Sequence, residues 1–251
     1  MQGLATDKNI LVCHSDTNAH GKHDATGAFI PEAEAFAELH EIPEENVVGM
    51  KLVRTAKWRR REQTLDAIAT AGKDRLLDAI ALFGHGWPQG IQFGFNREHI
   101  PALVDRMAQY CRPDVKVTLF ACLAAENDVR DRNITGLGPA TDGGFADLLR
   151  DEMVRRGLDR GWVDGHKTAG HTSWNPFLVR FLCIDVDDPE VGAEGGAWLV
   201  APRSETWKHW CAKLKDQKSG MRYRFPFMQE LMVKAELMGL PWAPMSPPIP
   251  L

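Results

Sequence analysis

The sequence predicts an α/β fold, a doubly wound and mostly parallel sheet with helices packed on it, and three observations carry that reading. Apolar runs of strand length recur at residues 9–13, 47–53, 79–85 and 115–122. The stretches between them have helical spacing, clearest over 96–111, where Ile100, Leu103, Val104, Met107, Ala108 and Cys111 share a face. Strand, helix and strand in that order form a right-handed crossover, which makes the flanking strands parallel and puts their carboxyl ends on one edge.

Each element follows in chain order. Residues 9–13 read as the first strand, and 14–27, rich in His, Asp, Asn, Thr and Gly, as a loop too polar to pack. A helix over 31–40 has Pro31 at its start, where the missing N–H costs nothing. A second strand at 47–53 and a second helix at 60–71 follow; the third strand ends at His85 and the fourth at Cys122. Residues 123–142, with Asp128, Arg130, Asp131, Arg132 and several glycine or proline breakers, have no period and read as a long mobile loop. A helix over 143–157 buries Phe145, Leu148, Leu149 and Met153, and strands at 162–163 and 177–184 complete the order βαβαβαβαββ.

The character changes at Asp185-Val186-Asp187-Asp188-Pro189-Glu190, which is acidic and turn-prone. Beyond it the chain is mostly helical by pattern and rich in tryptophan (Trp198, Trp207, Trp210, Trp242), with a proline-rich tail over 241–250. The expected organisation is an α/β domain over 1–184 and a helical extension over 185–251 packed on it or offering an interaction surface.

A chain of 251 residues with 44% hydrophobic content can bury a full core. Its net charge of −4 gives no reason to expect nucleic acid or an anionic membrane as partner. No apolar run approaches the roughly 18 residues of a spanning helix, and residues 1–8 lack a signal-peptide core, so a cytoplasmic protein is expected. Five widely spaced cysteines without a C-x-x-C pair argue against a disulfide framework or a zinc ribbon. Cys13, Cys111 and Cys183 lie in apolar runs and read as small buried hydrophobes. Arg59-Arg60-Arg61 reads as the solvated face of a helix. His14, His20 and His23, with His166 and His171, raise a metal site, but their spacings fit no zinc pattern, and no metal or cofactor is expected.

His85 and Cys122 stand apart because each closes an apolar strand, where side chains line the crevice of an open α/β sheet. A thiol becomes a good nucleophile when a histidine takes its proton, and the same histidine can protonate a leaving amine. Gly86 has no Cβ, so its N–H can approach a substrate carbonyl and, with that of Cys122, form an oxyanion hole.

Leu82-Phe83-Gly84-His85-Gly86 followed by Leu119-Phe120-Ala121-Cys122 resembles the caspase-like (clan CD) cysteine peptidases, whose signature is an apolar strand ending in His-Gly and another ending in Ala-Cys. Leu123-Ala124-Ala125-Glu126 after the cysteine is closer to bacterial members than to caspases, and the caspase Gln-Ala-Cys-Arg-Gly pentapeptide is absent. The resemblance, over residues 9–184, implies a caspase-like three-layer α/β/α sandwich with His85 and Cys122 as catalytic dyad and Gly86 as oxyanion donor. It implies a cysteine endopeptidase acting on a protein or peptide substrate. A precursor that cuts itself, or is cut, within 128–142 fits that reading, because exposed polar backbone there would be accessible. Substrate-binding candidates are His14 and Asp16 after the first strand, and Asp164 and Trp174 after the fifth; an aspartate at the pocket base would select a basic residue. The alternatives are an inactive caspase-like binding or regulatory module and a histidine-based metal-dependent hydrolase.

Overall fold

The computed structural model describes residues 8–15, 29–52, 54–126, 144–166, 177–183 and 194–198. The elements run β1 (Ile10–Ser15), α1 (Phe29–Leu39), β2 (Val47–Met50), α2 (Lys57–Gly72), β3 (Leu77–Phe83), β4 (Gly86–Trp87), β5 (Gly90–Ile91), α3 (Ile100–Tyr110), β6 (Cys111–Phe120), α4 (Gly144–Arg155), β7 (Trp162–His166), β8 (Phe177–Leu182) and β9 (Glu194–Trp198).

Seven strands form one sheet in the order β2-β1-β3-β6-β7-β8-β9. The first five in that order are parallel, β8 runs antiparallel to β7, and β9 antiparallel to β8. The chain leaves β1 to one side for β2 and returns to the other for β3. The winding therefore reverses between β1 and β3, the switch point at which open α/β sheets bind ligands.

Period-two alternation separates two cores, one on each face of the sheet. Leu11, Cys13, Ile80, Leu82, Val117 and Leu119 pack against α2, α3 and α4. Ile10, Val12, Ala79, Ala81, Phe83 and Phe120 pack with Phe29, Ala33 and Phe36 of α1. Helices thus cover both faces, as expected for an α/β sandwich with a mostly parallel sheet. Strands buried on both sides read as continuous apolar runs, which is why β1 and β3 are legible in the sequence.

Four strands depart most from the sequence expectation. The hairpin β4/β5 has two-residue strands, too short for any period to register. Cys111 opens β6 instead of closing the helix before it. β9 pairs with β8, so the sheet continues past residue 184, and this part of the 185–251 segment is strand and not helix. Its sequence, Glu194-Gly195-Gly196-Ala197-Trp198, has no apolar alternation to announce it. Residues 199–251, including Trp207, Trp210 and Trp242, lie outside the described residues.

Candidate active site

Parallel pairing sets the site. Phe83 is in register with Phe120, and the Gly84 N–H donates to the Phe120 carbonyl at 3.2 Å, so β3 and β6 end side by side. His85 and Cys122 then follow two residues beyond that pair. Gly86 provides a second link between the two motifs. A Cβ there would stand 2.7 Å from both the Ala121 Cβ and the Cys122 carbonyl oxygen, so the Gly86 backbone rests directly on the Ala121-Cys122 peptide. Only glycine permits that approach.

His85 is fixed from two sides. Its N–H donates to the Gln92 Oε1 at 3.0 Å, and its carbonyl accepts the Gln92 N–H at 2.8 Å. Gln92 is buried and His85 half-buried. The Phe29 ring of α1 meets the imidazole edge-on with centroids 4.9 Å apart. Gly86 and Ile91 face each other across the hairpin while the hydrogen bond lies one residue outside, at His85 and Gln92. They are therefore a non-hydrogen-bonded pair, and the Gly86 N–H is directed away from β5.

Beneath the two motifs lies an aromatic floor. Phe83 and Phe120 stack at 4.0 Å with planes 6° apart, and Phe36 meets each of them edge-on. His14 on β1 is in register with Phe83. His166 closes β7 with its ring 6.4 Å from that of Phe120. His14 and His166 are both buried, and the His14 Nδ1 lies 2.8 Å from the Ser15 carbonyl oxygen.

The turn after the cysteine is held by the neighbouring elements. Leu123 has φ of 59°, a left-handed conformation that costs a branched side chain of order 1–3 kcal/mol. The Ala125 N–H donates to the His166 carbonyl at 3.0 Å, and the Ala146 N–H of α4 to the Ala124 carbonyl at 2.8 Å. These bonds fix the strained turn to β7 and α4.

Among the described cysteines, Cys122 alone is partly exposed; Cys13, Cys111 and Cys183 are buried. Burial pushes the Cys13 thiol well above its ordinary range, and pushes Cys111 and Cys183 up to about 12. These three are held as neutral thiols, poor nucleophiles.

Asp164 does not lie at the crevice. It pairs with Thr118 in the middle of β7, four residues short of Cys122 in register, or roughly 13 Å along the strand. Its carboxylate takes two bonds from Arg180, at 2.9 and 3.0 Å, and one from the Trp162 indole N–H at 3.0 Å. Burial raises the carboxyl, and the Arg180 and Trp162 donors oppose that. The expectation that Asp164 receives a basic substrate side chain is corrected: its charge is matched within the sheet. Asp16, Trp174, His20, His23 and His171 fall outside the described residues. His14 and His166 stand on strands separated by β3 and β6.

Sequence reasoning missed Gln92, Phe29 and Trp87. Gln92 and Trp87 belong to the hairpin that periodicity does not register, and Phe29 precedes the predicted start of its helix. Trp87, two residues past His85, is 36% exposed and gives the rim an apolar surface. Comparison with protein-family models, with curated proteins and with solved structures found no match.

Proposed function

We propose that this chain is a cysteine endopeptidase of the caspase-like kind, with Cys122 as nucleophile and His85 as general base and acid. The observation that carries this reading is the seating of Gly86 on the Ala121-Cys122 peptide, which joins two motifs distant in sequence into one site. The Cys122 Sγ attacks the scissile carbonyl carbon as its proton passes to His85. The carbonyl π bond opens, and the oxyanion is stabilised by the N–H groups of Gly86 and Cys122. The C–N bond then breaks, His85 delivers the proton to the leaving amine, and a thioester remains on Cys122. Water, deprotonated by His85, hydrolyses the thioester and returns both groups to their starting state.

The test is labelling of the full chain with a thiol-reactive activity probe, followed by mapping of the modified cysteine. Cys122 is expected to react, and the rate to fall at least tenfold in His85→Ala, while Cys13, Cys111 and Cys183 stay unlabelled in the folded protein. A Cys122 that reacts no faster in the wild type than in His85→Ala removes the peptidase reading and leaves a binding module of the same fold. Protein and peptide substrates are then screened for cleavage that is lost in Cys122→Ala.

A further inference from the structure

The charge on this protein is distributed unevenly. Against a net charge of −4, the segment 51–61 carries Lys51, Arg54, Lys57, Arg59, Arg60 and Arg61 and no acidic residue. In the structure the run divides. Arg60 and Arg61 turn inward: Arg60 donates to the Thr55 carbonyl at 2.7 Å and the Gln92 carbonyl at 3.3 Å, and Arg61 to the Gly94 carbonyl at 3.0 Å. Lys51, Arg54, Lys57 and Arg59 are exposed. None of these four has an ion-pair partner among the described residues. Trp58 lies among them, 50% exposed, with the Arg59 guanidinium 5.0 Å from its ring centroid.

This arrangement opposes local stability. The charges cluster at the amino end of α2, whose first turn holds no acid and whose N-cap, Ala56, makes no side-chain cap bond. Cations there add to the positive pole of the helix. Lys57 and Arg61, one turn apart, also repel each other. Glu98 and His99 lie close by, since Glu98, Lys57 and Arg61 all act on the His99 imidazole.

The position of the patch points to its use. β2 runs parallel to β3 and β6, so the residues after Met50 emerge at the edge where His85 and Cys122 stand. The Arg60 bond to Gln92 joins the start of α2 to the residue that clamps His85. From β2 to β6 is three strand spacings, about 14–15 Å, which four to five residues of extended peptide would cross. We infer that Lys51, Arg54, Lys57 and Arg59, with Trp58, form a second contact surface for the substrate, and that it receives an acidic stretch of polypeptide several residues from the scissile bond. This rests on the peptidase reading above. The exposed cations supply charge pairing, and Trp58 adds an apolar contact within the charged patch.

The experiment uses full-length Cys122→Ala protein, which holds substrate without cutting it. A fluorescent peptide with a run of Glu and Asp is titrated at low and high salt, alongside a neutral peptide of equal length and a single-stranded DNA of equal charge. The acidic peptide is expected to bind in preference to both, to weaken with salt, and to lose about tenfold in affinity in Lys57→Glu/Arg59→Glu. That variant places acids at the positive end of α2 and so favours the helix, which keeps it folded. Equal affinity in the variant, equal binding of the neutral peptide, or tighter binding of the DNA overturns the proposal. In the Cys122 enzyme, the ratio of kcat/KM between peptides with and without the acidic run is expected to fall about tenfold in the same variant. Absence of any Cys122-dependent cleavage sinks the peptidase reading alone, because the binding titration still decides what the surface holds.

Discussion

At Gly86 a single added methyl group would push the two halves of the candidate site apart. An alanine Cβ would press on the backbone carbonyl of Cys122 and on Ala121, both 2.7 Å away, and neither is the end of a flexible side chain. The strands must part to admit it, at a cost of about 1–3 kcal/mol. Gly86→Ala is expected to fold with a lower Tm, by about 2–4 °C for each kcal/mol in a chain of this size, and to label at Cys122 at least tenfold more slowly. Wild-type labelling at an unchanged Tm would show that the approach of Gly86 has no functional weight. His85, Gly86 and Cys122 stand out in the sequence because long apolar runs lead up to them. Gln92 was not, since its meaning lies in two hydrogen bonds to His85 across a hairpin that leaves no trace in hydrophobic pattern. Asp164 misled for a related reason: nothing in the sequence pairs it with Arg180, sixteen residues away.

Among the helices, α1 bears on the site because it brings Phe29 to His85 and Phe36 to the aromatic floor. Its carboxyl end carries a titratable group, His40, whose ring lies 4.4 Å from that of Phe36. Burial first, and the Lys8 charge second, lower the His40 imidazole from 6.5 to about 4. Between those values the unfolded chain binds a proton that the folded chain excludes, so stability rises with pH through this window and falls on acidification. The loss between neutrality and the bottom of the window is on the order of 2 kcal/mol after allowing for solvent screening. Urea unfolding of the wild type and of His40→Leu at pH 7 and pH 4.5 checks this, with a smaller pH-dependent drop expected in the variant. Equal drops in the two proteins would assign the acid sensitivity to other groups. The helices themselves were readable from spacing, with ends displaced by a few residues. The helix α2 starts at Lys57 instead of 60, which places Trp58 and Arg59 in its first turn.

Across the whole molecule, the parallel direction of β2, β1, β3, β6 and β7 follows from strand-helix-strand alternation, whereas their order in the sheet is seen only in the structure. The antiparallel side was harder to read, since β8 and β9 join through reversals that have no helical period, and β9 is largely glycine and alanine. That side is fastened by Asp164 and Arg180, which face each other in register on β7 and β8. The Asp164 side chain is 0% exposed, so removal of the arginine leaves a buried carboxylate with only the Trp162 N–H, a change that costs about 3–5 kcal/mol when a buried pair is broken from one side. Arg180→Met is therefore expected to unfold at a markedly lower temperature at pH 7. Arg180→Met combined with Asp164→Leu is expected to recover most of the loss, because no charge is then left unpaired. The consequence reaches the candidate dyad. The His166 carbonyl at the end of β7 holds the Ala125 N–H and with it the strained turn after Cys122. Loosening β7 should slow Cys122 labelling in the single variant at temperatures well below its Tm, and the double variant should restore the rate. A single variant that labels at the wild-type rate while losing several kcal/mol would mean that β7 stabilises the sheet without positioning the cysteine.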